Sequence, residues 1–211
     1  MHWLVLQLAD SAFPTGGFAH SAGLEACVQA GEVVTRADVE RFVAELIDQL
    51  ARGSLPLVAA VHDAPERLHE IDELADAITW SHVAKRASLA QGRALLDVAA
   101  RAFAKPALIE ARGTASHLAP VYGFVTRTLE IGRDDALATF LHLGIRGALG
   151  AGVRLGVLGP TEAQALHLRL HPALDAALAR SHALEEVAQP SPIFELIQTT
   201  QDRLYSRLFQ S

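Results

Sequence analysis

The chain has 211 residues, of which 50% are apolar and 20% are charged, and its formal net charge is −6. An apolar fraction this large can bury a core, so the composition excludes an intrinsically disordered chain, and the lack of a long basic run argues against binding to nucleic acid through phosphates. Neither Lys85 nor Lys105 follows a glycine-rich loop, which excludes a P-loop nucleotide site because that site requires the lysine.

The sequence also constrains the compartment. Cys27 is the single cysteine, so no disulfide can form within the chain, and we expect a cytoplasmic protein. No basic region followed by a long apolar run stands at the N-terminus, so we expect no secretory signal. Residues 136–158 are strongly apolar, but His142, Arg146 and Arg154 interrupt them, which indicates a buried or interface helix rather than a membrane span.

Residues 7–25 contain a mixture of polar, glycine and proline residues that ordinary helices avoid. Pro14 fixes the backbone angle φ and lacks an amide donor, while Gly16 and Gly17 tolerate positive φ. The pattern predicts a helix, a sharp loop and a new helix near His20. The polar groups of this loop need partners, which are either hydrogen bonds within the chain or the surface of another protein.

Residues 36–52 carry the clearest helical pattern. Thr35 and Asp38 predict a capping-box start, and Gly53 predicts the end of the helix. The apolar residues that share one face are Val39, Phe42, Val43, Leu46, Ile47 and Leu50.

The rest of the chain follows helical patterns that proline and glycine interrupt. We expect helices over 54–64, over 70–104 as one helix or two, from Pro120 to about Ile131, over 134–156, from Thr161 to a break at Pro172, and from Ile193 onward. One face of the last helix is predicted to hold Ile193, Leu196, Ile197, Thr200, Leu204 and Leu208. Without a convincing alternating strand, the chain is predicted to be all-α, a single-domain bundle of roughly eight to ten helices over residues 1–211 with no significant β-sheet.

A ridge of small residues lies within 134–156. Gly144, Ala148, Gly152 and Gly156 recur every four residues and would share one side of a helix. Each interior glycine costs about 1 kcal/mol relative to alanine, so close approach by another element must offset the loss. A tight internal helix pair is favoured, and a subunit interface is the alternative.

Two arginines interrupt the same apolar helix. Arg146 and Arg154 lie about two turns apart on nearly the same face, and an arginine in such a setting requires a carboxylate or carbonyl partner. That partner belongs either to the chain itself or to another protein, and the sequence leaves both alternatives open.

The histidines give only weak indications of chemistry. His167 and His171 have the i, i+4 spacing with which two imidazoles can share a metal ion, but no third ligand is near in sequence, so chance spacing is favoured. His20 and Ser21 point to different sides of a helix and no G-x-S-x-G motif occurs, so a hydrolase is not expected. We predict no catalytic residue, no metal site and no tightly bound cofactor.

The segment 193–211 is rich in residue types that are enriched in protein interfaces. They are Arg203, Tyr205, Arg207 and Phe209. The segment is predicted either to dock on the chain's own core or to bind a partner.

Five segments, in this order, carry a family resemblance. They are Leu8-Ala9-Asp10-Ser11 with Pro14, Gly16, Phe18, His20-Ser21 and Gly23-Leu24-Glu25; Ala87-Ser88 with Gln91-Gly92 and Leu95-Leu96; His117 with Ala119-Pro120-Val121 and Gly123; Val153-Arg154-Leu155-Gly156 with Gly159-Pro160-Thr161 and Gln164; and Tyr205-Ser206-Arg207-Leu208-Phe209 with Ser211. In these segments the chain resembles the UreF family of urease accessory proteins.

The resemblance implies an all-α protein that is usually dimeric and is not an enzyme. It implies a complex with UreD (also called UreH) and the GTPase UreG, in which this subunit bridges the two, modulates GTP-dependent nickel delivery to apo-urease and handles nickel only transiently. We expect partner contacts at Pro14, Gly16, Phe18, His20, Ser21, Glu25, Arg146, Arg154, Arg203, Tyr205, Arg207 and Phe209.

Two other functions stay open from the sequence. One is a generic helical adaptor of another complex, and the other is a metal-dependent enzyme that uses the scattered histidines. We expect interactions with neither nucleic acid nor membranes.

Overall fold

The computed structural model describes residues 3–211, and within that range every regular element is a helix and no strand is present. The α-helices are α1 (Trp3–Ala9), α2 (Leu24–Gln29), α3 (Arg36–Gln49), α4 (Leu55–Asp63), α5 (Leu68–Ile78), α6 (His82–Phe103), α7 (Pro106–Glu110), α8 (Leu118–Thr128), α9 (Arg133–Arg154), α10 (Pro160–Arg169), α11 (His171–Leu178) and α12 (Pro192–Gln198). The all-α prediction is therefore confirmed. Residues 1 and 2 of the predicted domain lie outside the described range.

The core is one cluster of buried apolar side chains that extends from Leu8 to Phe209. α8 packs against α4, α5 and α6, and α9 packs against α1, α3, α4, α10 and α11. α4 and α8 approach closely because Gly123 has no side chain: a Cβ there would lie 2.4 Å from the carbonyl oxygen of Val58. By length and composition α9 could cross a membrane, but 56% of its apolar window is buried within the fold, as in a core helix.

The start of α3 matches its prediction, but its end does not. Thr35 caps the helix and forms the predicted capping box with Asp38. Gly53 does not end the helix, because a π-helical turn over Leu50–Ser54 carries the chain directly into α4. A Cβ on Gly53 would lie 3.2 Å from the carbonyl oxygen of Ala188, and the Ala188 amide donates to the Arg52 carbonyl oxygen at 3.1 Å. The glycine thus serves close packing rather than termination.

The region 70–104 forms two helices rather than one. α5 ends at Ile78, and Ser81 begins α6 by accepting a hydrogen bond from the Ala84 amide at 3.3 Å. The predicted helix end at residue 104 and helix start at residue 134 are confirmed within one residue, because α6 ends at Phe103 and α9 begins at Arg133. Asp134 lies in the first turn of α9, where the helix dipole favours negative charge.

The ridge of small residues is used inside the chain. A Cβ on Gly144 would lie 2.6 Å from Leu50 Cδ1, and one on Gly152 would lie 3.2 Å from Leu158 Cδ1. Gly156 is not part of the ridge, because α9 ends at Arg154 and Gly156 adopts φ 75° beyond it. Packing within the chain therefore accounts for Gly144 and Gly152, but through the side chains of Leu50 and Leu158 and not through the tight helix pair that was favoured.

The prediction for the last helix is wrong in length and in orientation. α12 ends at Gln198, a 3-10 turn follows over Thr199–Arg203, and the remainder is not helical. Ile193 and Leu196 are 71% and 61% exposed, whereas Glu195 is only 4% exposed. Phe194 and Ile197 of α12 pack against the core, and Glu195 is buried beside them because it accepts a hydrogen bond from Gln49. The buried polar residues are Glu195, Gln198 and Gln201.

Candidate functional site

The two segments predicted to contact partners lie against each other. The Ser21 hydroxyl donates to the Ser211 carbonyl oxygen at 2.9 Å, and His20 Nδ1 lies 2.7 Å from Ser211 Oγ. The Gln210 amide donates to the Ala19 carbonyl oxygen at 2.8 Å. We call the surface formed by residues 10–25, α12 and residues 199–211 the terminal platform.

Glu25 joins the two parts of the terminal platform. Its side chain is 1% exposed, and its carboxylate oxygens accept from the Leu208 amide at 2.7 Å and from the Phe209 amide at 3.1 Å. Gln201 Nε2 donates to the same carboxylate at 2.6 Å. A buried carboxylate with three donors is well satisfied, so Glu25 fixes the course of residues 208–209 instead of lying on the surface.

The two arginines of α9 contact the end of α1 and the loop that follows it. The Arg146 guanidinium donates to the Ala9 carbonyl oxygen, and that of Arg154 donates to the Phe18 carbonyl oxygen. Arg154 Cζ lies 4.3 Å from the centre of the Phe209 ring, within the range of a cation–π contact. Both arginines therefore find their carbonyl partners within the chain and not in another protein.

The N-terminal loop is held in place from a second side. Phe13 stacks on Phe103 of α6, with ring centres 6.2 Å apart. Gly16 adopts the expected positive φ of 75°, and Pro14 beside it is exposed. Burial, followed by the charge of nearby Arg86, lowers the pKa of His20, so the ring that faces Ser211 is neutral near pH 7.

An ionic cluster holds the other segment to α6. Asp202 accepts from Arg86 at 2.7 Å, from His82 Nε2 at 3.1 Å and from Arg207 at 3.4 Å. The hydrogen bond from Arg86 is the main reason that the pKa of Asp202 is lowered. Arg207, one of the expected partner residues, thus contacts Asp202, while Arg203 is exposed.

Once these groups are held, large apolar side chains remain on the outside. Phe18 is 74% exposed, and the ring of Tyr205 is fully exposed. Leu208 is exposed as well, although its neighbour Phe209 is buried in the core. With Ile193 and Leu196 of α12, these side chains give the terminal platform the aromatic and aliphatic character of an interface.

Sequence reasoning found the ends of the terminal platform but missed the residues that hold it together. Glu195, Gln198 and Gln201 recur every three positions, a polar stripe opposite the apolar one. Gln49 Nε2 donates to Glu195 at 3.0 Å, and burial raises the pKa of Glu195. That stripe was the available signal, but a polar stripe normally faces solvent, so its inward orientation depends on tertiary partners.

The structure adds a third ring to the predicted histidine pair. The ring centre of His142 on α9 lies 5.4 Å from that of His167, which in turn lies 5.4 Å from that of His171. Burial lowers the pKa of both His142 and His167, so these rings are neutral near pH 7. Across residues 3–211, no group of three or more His, Cys, Asp or Glu side chains could hold a metal ion.

A second cluster resembles a hydrolytic triad but stabilises the start of α8. The Ser88 hydroxyl lies 3.1 Å from His117 Nδ1, and His117 Nε2 lies 3.3 Å from Asp76 Oδ1. The same hydroxyl accepts from the Leu118 amide at 3.1 Å, and Asp72 accepts from the His117 amide at 2.7 Å. These contacts satisfy amides that the first turn of a helix leaves without partners, which is a structural role.

Comparison with known proteins gives consistent matches. The family model described as UreF matches residues 33–171. Urease accessory protein F of Arabidopsis thaliana is 32% identical over 223 aligned residues, which cover 100% of this chain and 93% of that protein. Urease accessory protein UreF of Trichodesmium erythraeum (strain IMS101) is 32% identical, with 97% and 94% covered, and that of Bradyrhizobium sp. (strain BTAi1) is 31% identical, with 100% and 90% covered.

Proposed function

Because the chain belongs to the UreF family of urease accessory proteins, we propose that it bridges UreD (UreH) and the GTPase UreG and modulates GTP-dependent nickel delivery to apo-urease. In this proposal the protein acts in the cytoplasm as a homodimer, binds no cofactor tightly and catalyses no reaction. Its work is to present a surface of fixed shape, and nickel is the cargo of the complex.

The observation that carries this proposal is the pair of exposed apolar side chains on helix α12, Ile193 and Leu196. Phe194 and Ile197 of α12 pack against the core, yet Ile193 and Leu196 on the same helix are exposed while Glu195 is buried. Because Glu195 and Gln201 are tied to Gln49 and Glu25, the exposed apolar face is held rigidly in this orientation. A preformed apolar face loses little conformational entropy when a partner covers it.

The remaining functions are less well supported. A generic helical adaptor would share the exposed platform, but the family matches favour a role in urease maturation. A metal-dependent enzyme that uses the scattered histidines would need a set of ligands, and the described residues contain no group of three or more His, Cys, Asp or Glu side chains that could hold a metal ion.

The variant Leu196→Glu tests the terminal platform directly. The side chain is exposed, so we expect the free energy of unfolding to change by less than about 0.5 kcal/mol. A partner that covers this position would have to desolvate the new carboxylate, so we expect binding to UreD or to UreG to weaken by at least about tenfold. Binding of the purified variant to each protein, measured by biolayer interferometry, gives the affinity.

Leu168→Glu is the matched control, because Leu168 is also exposed but lies on α10, outside the terminal platform. We expect this variant to bind as the unaltered chain does. If Leu196→Glu binds both UreD and UreG with unaltered affinity, the platform has no part in the bridge.

A further inference from the structure

Residues 91–114, which include the second half of α6 and all of α7, carry more basic than acidic residues. The basic ones are Arg93, Arg101, Lys105 and Arg112, and the acidic ones are Asp97 and Glu110. The whole chain has the opposite balance, with 18 basic residues, 24 acidic residues and a net charge of −6. All four basic residues are exposed, so this part of an acidic protein presents a basic surface.

Three of the basic residues are arginines that gather on one side of α6. Arg93 and Arg101 lie two turns apart on one face of the helix, with Asp97 between them. Asp97 accepts from Arg101 at 3.3 Å and from Arg112 at 2.7 Å, so one carboxylate serves two guanidinium groups. Ile109, one turn before Arg112, is 51% exposed. We call the surface formed by these five residues the arginine surface.

The segment that carries Arg112 is fixed to α6. Leu108 is fully buried in the core, and a Cβ on Gly92 would clash with the Ser116 carbonyl oxygen, so the backbone of residue 116 lies directly on the helix. The Ser116 amide in turn donates to Asp72 of α5 at 3.0 Å. Because the backbone is held on both sides of Arg112, the arginine surface is formed before any partner binds, which limits the entropy lost on binding.

Two of the arginines are held so that their outer nitrogens stay available. Arg93 Nε donates to Ser116 Oγ at 3.1 Å, and the bond from Arg112 to Asp97 also uses Nε. Among residues 3–211, the two outer nitrogens of each guanidinium have no hydrogen-bonded acceptor. Those two nitrogens are the pair that binds a carboxylate through two parallel hydrogen bonds.

We propose that the arginine surface binds an acidic segment of a protein of the urease maturation complex. The inference rests on the proposed function only for the identity of that complex. Carboxylates match the free guanidinium groups, and the exposed Ile109 gives the apolar contact that protein interfaces combine with arginine. No residue of the arginine surface belongs to the terminal platform, so it is a second, separate contact.

Charge reversal of one arginine at a time tests the arginine surface. We expect Arg93→Glu and Arg101→Glu each to weaken binding to UreD, to UreG or to apo-urease by at least about tenfold in about 50 mM NaCl, because like charges then face each other. In about 500 mM NaCl we expect the difference from the unaltered chain to shrink to less than about threefold, because salt screens exposed charges. Biolayer interferometry at both salt concentrations measures the affinities.

Arg41→Glu is the matched control. The Arg41 side chain is 73% exposed and pairs with Asp38 on its own helix, as the 72% exposed Arg101 pairs with Asp97. Both variants change the net charge equally, and Arg41 lies on α3, outside the arginine surface. We expect Arg41→Glu to bind as the unaltered chain does. Equal urea midpoints of all these proteins would show that the fold is retained, and Arg93→Glu leaves the pair of Arg101 with Asp97 in place.

The inference is overturned if the unaltered chain binds at least one of the three proteins and both Arg93→Glu and Arg101→Glu bind it with unaltered affinity. It is also overturned if a short DNA duplex, titrated in parallel, binds more tightly than these proteins and loses its binding in the same variants. The bridging function survives either result, and it fails along with this inference only if the unaltered chain binds none of the three proteins.

Discussion

At the scale of single residues, Glu25 fixes the position of residues 208–209 in the proposed contact surface. Its carboxylate accepts from two consecutive backbone amides and from Gln201, and Glu25, Gln201 and Phe209 are all buried. A neutral amide at this position could not satisfy every one of these donors, because its nitrogen only donates. The position of residues 208–209 therefore depends on one acidic side chain that is distant from them in sequence.

Glu25→Gln is expected to loosen the end of the platform. Leaving one buried amide without an acceptor costs about 1–3 kcal/mol. Because the contact is local, the cost should appear as faster hydrogen exchange at the amides of Leu208 and Phe209, measured by mass spectrometry on peptides from this region.

The exposed Glu32, varied to Gln, serves as the control for that measurement. Equal exchange of residues 208–209 in Glu25→Gln and in the unaltered chain would show that the carboxylate does not hold the segment.

At the scale of the helices, a glycine that lets two backbones approach each other determines how α8 packs against α4. α8 lies against α4 at Gly123, where a Cβ would come within 2.4 Å of the Val58 carbonyl oxygen. Backbone atoms of a packed helix pair give way only by separating the helices, which disturbs the core on both sides.

Gly123→Ala is therefore expected to lower the free energy of unfolding by about 1–3 kcal/mol through overpacking. Urea denaturation followed by circular dichroism measures the change.

Gly147→Ala is the matched control, because Gly147 also lies within a helix but has no neighbouring atom within 4 Å of a built Cβ. There we expect a stabilisation of up to about 1 kcal/mol from helix propensity alone. A Gly123→Ala protein as stable as the Gly147→Ala protein would contradict the packing described for α4 and α8.

The helices also show where sequence reasoning succeeds and where it fails. The capping box of Thr35 with Asp38 and the start of α9 after Gly132 were predictable because local hydrogen bonds and the helix dipole determine them. The prediction that Gly53 ends a helix was wrong. Glycine often follows a helix, but here it allows the backbone of Ala188 to approach closely. The orientation of α12 was not predictable, because it depends on Gln49 and Glu25, which are distant in sequence.

In the candidate site, too, local features could be predicted from the sequence and contacts between distant residues could not. Its two segments could be named from their residue types, but the contact between Ser21 and Ser211 joins positions 190 residues apart, and no local pattern encodes such a pairing. For the same reason the spacing of His167 and His171 was visible in the sequence, whereas the neighbouring ring of His142 was not.

Over the whole molecule, buried histidines should make stability depend on pH. Burial lowers the pKa of His20, His142, His167 and His182 below the usual value of 6.5. The unfolded chain therefore binds more protons than the folded chain below about pH 6.5, and stability falls as the pH is lowered through this value. Asp76 and Asp202, whose pKa values are also lowered, contribute stability that is lost only near pH 4 and below.

The urea midpoint is accordingly expected to decrease between about pH 7 and pH 5. His182→Gln should make this decrease smaller, because His182 is buried and burial lowers its pKa. The variant removes a group that the unfolded chain protonates more readily than the folded chain. His69→Gln, at an exposed position, should leave the decrease as it is. A midpoint that is constant across this interval would mean that the buried rings are not held neutral.

The bridging function is tested most directly by reconstituted activation of urease. Apo-urease, UreD, UreG, GTP and Ni²⁺ are combined with the unaltered chain, with Leu196→Glu, with Leu168→Glu or with none of the three, and both bound nickel and urease activity are measured. We predict full activation with the unaltered chain and with Leu168→Glu, and low activation with Leu196→Glu or without the chain. Equal nickel loading in all four mixtures would contradict the function proposed for this protein.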